Sequence, residues 1–387
     1  MANSNNGRLN MNVLENKNKS IMKTYMIYFI VVVLFILVRI LVSENILVIS
    51  EDSFINSSVL NVLVQVGILF IVPMTLYCVL LKVSPKSVFK TCNVNKPNYK
   101  ILLLALLFGL LAFIFNIIIS SVGLGIITFF GYHQHSVPST QVYEMKNFIA
   151  DIFLTALLPA LCEEFTHRGI LLQGTKHAGF KQAIYISSIC FGLAHLNIEQ
   201  LFYAIALGVF LGTMAVATKS IWPAVIVHFI NNLILVYLTG ANAFNWWGGN
   251  YNEALKSFQQ NVGMVAFIAI IMVVFIVVLT LMCLIVYGMY KISMIDKAEK
   301  ALSQTHEEKI KLTGKNNAYN KNSEVKNIVE TSTNLNFDYD NMKDFLEFVL
   351  PKEKNVYKKT FKDRIFLIVT IVLGIVINIF TLIWGII

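Results

Sequence analysis

The stretch FIADIFLTALLPALCEEFTHRGILL, residues 148–172, decides how this chain folds. It is mostly apolar and long enough to cross the hydrocarbon core of a bilayer, which takes about 20 residues. Its second half nevertheless carries two glutamates, a histidine and an arginine between Glu163 and Gly169. Ionisable side chains inside a membrane helix are costly and mark functional sites by default. The stretch therefore predicts a membrane-spanning helix that contains a polar site.

Apolar segments of comparable length recur along the whole chain. The sequence is 56% hydrophobic and 14% charged, with a mean hydropathy of +0.67, outside the usual range of soluble domains. We predict an all-α, polytopic transmembrane bundle of about eight or nine helices. The predicted spans are 24–42, 58–81, 100–121, 148–172, 182–198, 200–218, 221–240, 263–290 and 365–387.

The polar segments divide the chain around this bundle. We predict a polar N-terminal tail at 1–23, the bundle at 24–290 with its functional core at 148–240, a polar and partly disordered cytoplasmic segment at 291–364, and a C-terminal transmembrane helix at 365–387.

Three shorter stretches have local predictions of their own, two in the cytoplasmic segment and one in the bundle. Residues 315–327 are rich in Asn and Lys and predict a flexible linker, whereas 342–350 has the apolar spacing of a short amphipathic helix. Residues 123–130 fit either an extension of the third helix or a re-entrant segment.

The distribution of charge predicts the orientation. The net charge of +9 does not indicate nucleic-acid binding, because Lys and Arg mostly flank apolar spans, where topology and anionic headgroups account for them. The loop from Lys82 to Lys100 is basic, while the preceding loop is acidic. The positive-inside rule then predicts a multi-pass protein of the cell membrane with a cytoplasmic N-terminus. Arg39 is an exception, close enough to its helix end to snorkel.

The first polar cluster contains two adjacent carboxylates. Residues four apart share a helix face, so Arg168 should pair with Glu164 and leave Glu163 available as a general base. His167 is four residues from Glu163 and is a second candidate partner for it. A simple Arg/Glu clamp near the cytoplasmic interface is the alternative.

Two further clusters lie on the following helices. Phe191 and His195 share one face, as do His228 and Asn232, which could aim two donors at one oxygen. Ordinary hydrogen bonding to the backbone or between helices is the alternative for each. Asn231 points about 100° away from Asn232 and should tolerate substitution. Together the clusters supply the parts for hydrolysing an amide.

The three clusters, EExxxRG at 163–169, FxxxH at 191–195 and HxxxN at 228–232, resemble the CAAX-protease and bacteriocin-processing family of intramembrane endopeptidases, also called CPBP or Abi. The resemblance covers 148–240. It implies a helical bundle around a cavity that opens towards the cytosol.

The resemblance also assigns roles to individual residues. It implies that Glu163 activates water with help from His195, and that His228 and Asn232 form an oxyanion hole. Supporting roles fall to Glu164, Arg168 and Phe191.

A metal-dependent mechanism stays open at this point. The resemblance favours a glutamate-dependent reaction without cofactors, yet Glu163, His195 and His228 would satisfy a catalytic zinc site by count.

The predicted activity is endopeptidase cleavage of a membrane-associated peptide or protein in the lipid bilayer. The resemblance offers prenylated C-terminal peptides, bacteriocin or pheromone leader peptides and membrane-anchored regulators as substrates. A non-catalytic immunity or scaffold protein of the same fold, and a small-solute transporter, are the alternatives.

Two further expectations concern helix positions. Counting 1.5 Å per residue places Glu163 nearer the cytoplasmic end of its helix and His195 nearer the outer end, so tilt or different helix boundaries must bring them together. Ala204, Gly208 and Gly212 recur every four residues, which favours close packing of a neighbouring helix.

Overall fold

A computed structural model describes the backbone of residues 2–133, 142–313 and 361–384, and the side chains of 18–133, 142–300 and 364–384. This part of the chain contains helices and no strand. The helices are α1 (Ala2–Ser43), α2 (Ser53–Leu81), α3 (Pro85–Thr91), α4 (Tyr99–Phe129), α5 (145–175), α6 (Phe180–Ala194), α7 (Ile198–Thr218), α8 (Trp222–Phe244), α9 (Tyr251–Val262), α10 (Met264–Thr313) and α11 (Phe361–Trp384).

The prediction of a polytopic helical bundle is confirmed. Within the described residues, seven helices are long and apolar enough to cross a membrane, namely α1, α2, α4, α7, α8, α10 and α11. The helix α6 is shorter, and α5 carries the charged cluster that opened the sequence analysis. These two helices correspond to the predicted spans at 148–172 and 182–198.

Several boundaries differ from the sequence-based ones. Helix α1 begins at Ala2, within the stretch predicted as a polar tail, and α10 runs on to Thr313, well past residue 290. Polar helical turns continue an apolar helix without any change of backbone, so hydropathy alone ends such a helix too early. The amphipathic helix α9 was not predicted.

The remaining local expectations have mixed outcomes. Residues 123–129 continue α4, so the extension is correct and the re-entrant alternative is wrong. The predicted linker at 315–327 and the predicted amphipathic helix at 342–350 lie outside the described residues.

Two prolines shape the helices that carry the site. Proline has no N–H and its ring displaces the carbonyl four residues earlier, which Pro73 and Pro159 do inside α2 and α5. Each follows a π-helical turn, at Leu63–Ile71 and Ile152–Leu157. Such wide turns are frequent at functional sites.

Two backbone oxygens near these prolines accept hydrogen bonds from other helices. The oxygen of Leu69, four residues before Pro73, accepts one from the Thr166 hydroxyl on α5. The oxygen of Thr155, four residues before Pro159, accepts one from Nδ2 of Asn232 on α8, at 3.3 Å. These contacts join α2 to α5 and α5 to α8.

Helix packing follows the stripe of small residues on α7. A Cβ atom at Gly208 would lie 3.0 Å from Cα of Ser188 on α6 and 3.3 Å from Nη2 of Arg168 on α5. Gly212 meets Ile184 of α6 at 3.2 Å in the same way. The close approach predicted from Ala204, Gly208 and Gly212 is thus observed, and it brings α6 against the charged cluster of α5.

We expect Gly208→Leu to destabilise the bundle, because a side chain at this position has to displace α6 and Arg168. Overpacking of this kind costs about 1 to 3 kcal/mol or more. The measurement is the melting temperature of the purified protein in detergent. Gly125→Leu is the matched control, since a Cβ atom at Gly125 meets nothing within 4 Å. Equal melting temperatures for the two variants would contradict the close packing.

Candidate active site

A cavity of about 980 Å³ lies between α1, α2, α5, α6, α7 and α11, and it contains two of the predicted site residues. Glu163 and His195 both line its wall. Glu163 lies near the middle of α5 and His195 directly follows α6, so the cavity extends along the helices between these two levels. This extent accounts for the difference in depth that residue counting indicated.

Glu163 is the partly exposed carboxylate of the first cluster. Its Oε1 accepts a hydrogen bond from Nε2 of Gln65 on α2, at 3.0 Å. Gln65 also lines the cavity, and the sequence analysis missed it. Its amide within the largely apolar span 58–81 is a signal that the sequence also gives at Asn61.

His195 has a defined orientation. Its Nδ1 lies 2.8 Å from the backbone oxygen of Phe191. A carbonyl oxygen only accepts, so Nδ1 carries the proton and donates. In the neutral ring, Nε2 then has a lone pair available to accept a hydrogen bond.

Glu164 is fully buried and binds two partners through the same oxygen. Its Oε1 lies 2.8 Å from Nη1 of Arg168 and 2.9 Å from Nδ1 of His228. The pairing with Arg168 agrees with the helical spacing. The contact with His228 joins α5 to α8 and could not be seen in the sequence, because the two residues are 64 positions apart.

Phe191 is the aromatic centre around which these groups pack. The guanidinium of Arg168 lies over its ring, with Cζ 4.3 Å from the centroid, within cation–π range. The rings of His167, His195 and His228 meet it edge to face, at centroid distances of 5.2, 4.8 and 5.6 Å. Phe191 therefore sets the spacing between the arginine and three imidazoles.

His167 pairs differently from the expectation. It contacts the backbone oxygen of Glu163 through Nδ1, at 2.8 Å, rather than the carboxylate. Its Nε2 lies 3.0 Å from the hydroxyl of Tyr28 on α1. The same hydroxyl donates to the backbone oxygen of Cys190 at 3.2 Å, so Tyr28 joins α1 to both α5 and α6. The carboxylate of Glu163 is thus not paired with His167.

His228 and Asn232 are not among the residues that line the cavity. His228 is buried against Glu164 and Phe191, and the half-buried Asn232 contacts Thr155, a residue that does line the cavity. The structure therefore brings Glu163 and His195 to the cavity wall and places Asn232 next to that wall.

Asn231 is not the unconstrained neighbour that helical rotation suggested. It is buried, and its Oδ1 accepts a hydrogen bond of 2.7 Å from Nδ2 of Asn116 on α4. This buried amide pair connects α4 with α8. Substitution of Asn231 should therefore lower stability, while its smaller effect on catalysis than that of Asn232 stays a prediction.

The three side chains considered as zinc ligands do not meet at one point in the described structure. His228 is buried against Glu164 and does not line the cavity that Glu163 and His195 border. Among the described residues, no group of three His, Cys, Asp or Glu side chains is arranged to hold a metal ion. The set of Glu163, His195 and His228 does not fit a zinc site in this arrangement.

Comparison with known proteins agrees with the three motifs. Residues 145–234 match the family model of the type II CAAX prenyl endopeptidases, Rce1-like. We call residues 145–234 the CAAX-protease segment, after the family to which they are similar. No curated protein and no solved structure matches the chain.

The CAAX-protease segment begins with α5 and ends within α8, so it contains all three motifs. It spans 90 of the 387 residues. Gln65 and Tyr28, which bind Glu163 and His167, lie before it, and the part of the cavity wall formed by α11 lies after it.

We expect Glu164→Gln to destabilise the protein, because it leaves Arg168 and His228 buried without an anionic partner. Removing one member of a buried ion pair costs about 3 to 5 kcal/mol. The measurement is thermal unfolding in detergent. Glu163→Gln is the matched control, since that side chain borders the cavity and its amide still reaches Gln65. Equal unfolding temperatures for the two variants would refute this division of roles.

Proposed function

We propose that the chain is an intramembrane endopeptidase that hydrolyses a peptide bond by a glutamate-activated water. The observation that carries the proposal is the pair formed by Glu163 and His195. Both border one cavity within the bundle, while the neighbouring charges of Glu164 and Arg168 are paired and buried away from it. The match to the type II CAAX prenyl endopeptidases supports the same chemistry.

Glu163 acts as the general base. Gln65 binds Oε1, and Oε2 takes a proton from a water in the cavity as the water oxygen attacks the substrate carbonyl. His195 accepts the second hydrogen of that water through Nε2 and so orients it. When the carbon–nitrogen bond breaks, Glu163 returns the proton to the departing amine.

His228 and Asn232 stabilise the oxyanion. An amide group has two N–H donors, so Asn232 can donate one to Thr155 and the other to the developing negative charge. His228 donates its Nδ1 N–H to Glu164, and this contact fixes the imidazole ring one helical turn from Asn232. Donors held in place before the reaction provide the largest share of such stabilisation.

Glu163→Gln should abolish cleavage, because the amide keeps the size of the side chain but cannot accept a proton. The measurement is cleavage of a quenched fluorescent peptide library by purified protein in detergent. Glu51→Gln, the same substitution in the first loop away from the cavity, should retain activity. Turnover by Glu163→Gln at the rate of the unchanged protein would remove Glu163 from the mechanism. Failure of the unchanged protein to cleave any peptide would favour the non-catalytic alternative.

Asn232→Ala should lower kcat by about a hundred- to a thousand-fold with little change in KM, as expected for one lost oxyanion donor. The measurement is steady-state kinetics on a peptide that the unchanged protein cleaves.

Asn231→Ala, the matched control for Asn232→Ala, should instead lower the melting temperature by breaking the contact with Asn116 and largely retain kcat. If Asn232→Ala reproduces that pattern, Asn232 is an interhelical hydrogen-bonding residue and not an oxyanion donor.

A further inference from the structure

The residues at the rim show towards which face of the bundle the cavity opens. Its deep wall includes Tyr28 and His167, from the interior of α1 and α5. Its rim is formed by helix ends and loops: Arg39 and Glu44 at the end of α1, Tyr132 after α4, Asn197 before α7 and Trp384 at the end of α11.

Hydrogen bonds show that these ends lie at one face. The hydroxyl of Tyr132 donates to Oε1 of Glu199 at 2.7 Å, which joins the end of α4 to the start of α7. The backbone N–H of Ile198 donates to Oγ1 of Thr381 at 3.2 Å, which joins α7 to the end of α11. We call this the rim face.

The opposite helix ends form a second face. Nζ of Lys23 donates to the oxygen of Leu80 at 2.8 Å, which joins the beginning of the α1 membrane span to the end of α2. Nδ2 of Asn98 donates to Oδ1 of Asp296 at 2.8 Å, which joins the start of α4 to α10. None of these four residues lines the cavity, so the cavity opens at the rim face.

The two faces carry opposite charge. The face opposite the rim is rich in lysine, including Lys23, Lys86, Lys90, Lys176, Lys219 and Lys297. The rim face is rich in carboxylates, including Glu44, Glu51, Asp52, Glu144, Asp151 and Glu199. Lysine and arginine accumulate on the cytoplasmic side of membrane proteins, which places the lysine-rich face in the cytoplasm.

Two expectations from the sequence therefore conflict. A cytoplasmic N-terminus follows from the lysines, and the family resemblance implied a cavity open to the cytosol. Helix α1 starts at the lysine-rich face and ends at the rim, so both cannot hold. The charge distribution is a property of this chain along its whole length, whereas the resemblance covers only 148–240. We therefore follow the charge distribution, which favours a cytoplasmic N-terminus.

Arg39 is the exception to the positive-inside pattern, and its position at the rim explains it. It is the only cation that lines the cavity among the described residues, and no described carboxylate pairs with it. The planar guanidinium matches a carboxylate through two parallel hydrogen bonds. Arg39 thus lies on the side of the membrane where arginine is rare, at the mouth of a cavity whose other ionised groups are acidic. Its guanidinium is therefore suited to bind an anionic ligand.

We propose that the cavity opens on the extracytoplasmic side of the membrane and that Arg39 binds a carboxylate of the substrate there. The proposal rests on the endopeptidase function proposed above and narrows its substrate. The substrate class is an exported peptide, or an extracytoplasmic segment of a membrane protein, with an acidic side chain or a free C-terminus near the cleaved bond.

The orientation is tested in intact cells with a membrane-impermeant maleimide. Glu44→Cys at the rim should be labelled in intact cells, and Lys86→Cys on the opposite face only after permeabilisation. The unchanged chain, which has five cysteines of its own, gives the background. The reverse pattern would place the cavity mouth in the cytosol and overturn the proposal. This readout requires no catalysis, so it stands apart from the peptidase function.

The role of Arg39 is tested by binding to the Glu163→Gln variant, which holds peptide without cleaving it. One fluorescent peptide pool contains Asp and Glu, and its counterpart has Asn and Gln at the same positions. Adding Arg39→Gln should weaken binding of the acidic pool by about fivefold, the upper end for an exposed ion pair, and leave the amide pool unchanged. Arg39→Lys should restore part of the loss.

Lys146→Gln is the matched control for Arg39→Gln, because Lys146 is an exposed cation at the rim face that lies outside the cavity. It should bind both pools as before. If Arg39→Gln weakens binding of both pools equally, Arg39 has a structural role. If binding of neither pool changes, Arg39 contacts lipid headgroups and not the substrate. Either result overturns the assignment to substrate. If the acidic and amide pools bind as predicted but the unchanged protein cleaves no peptide, only the proposed peptidase function is refuted.

Discussion

The carboxylate of Glu164 is the group on which the site depends. It is fully buried, and one oxygen binds both Arg168 on its own helix and His228 on α8. A buried charge is tolerated only when it is paired and hydrogen-bonded, so these three side chains must stay together. Their association fixes α8 against α5. Arg168 then extends the constraint to α6, because its guanidinium lies over Phe191.

This arrangement separates two adjacent glutamates into different roles. Because adjacent helical residues point about 100° apart, Glu164 faces into the bundle and Glu163 borders the cavity, where Gln65 binds it. One carboxylate therefore neutralises Arg168, and the other remains accessible to water and substrate. The same residue type performs both tasks because the helix points the two side chains in different directions.

Backbone carbonyls near the two prolines contribute contacts between helices. The oxygens of Leu69 and Thr155, each four residues before a proline, accept hydrogen bonds from Thr166 and Asn232 on neighbouring helices. In a bilayer an unpaired backbone carbonyl is costly, so such a position requires a polar side chain nearby. The same contact that satisfies Thr155 brings Asn232 next to the cavity wall.

Much of this protein was determined by the sequence itself. Apolar length predicted the bundle, and helical spacing predicted both the pairing of Arg168 with Glu164 and the close packing at Gly208, because periodicity and i, i+4 contacts are local properties. Only the tertiary structure decided that Gln65 binds Glu163, that His228 binds Glu164 and that Asn231 is fixed by Asn116. These partners are 98, 64 and 115 residues apart, and their contacts depend on how the helices cross. The face at which the cavity opens was decided in the same way, because it depends on which helix ends meet around it.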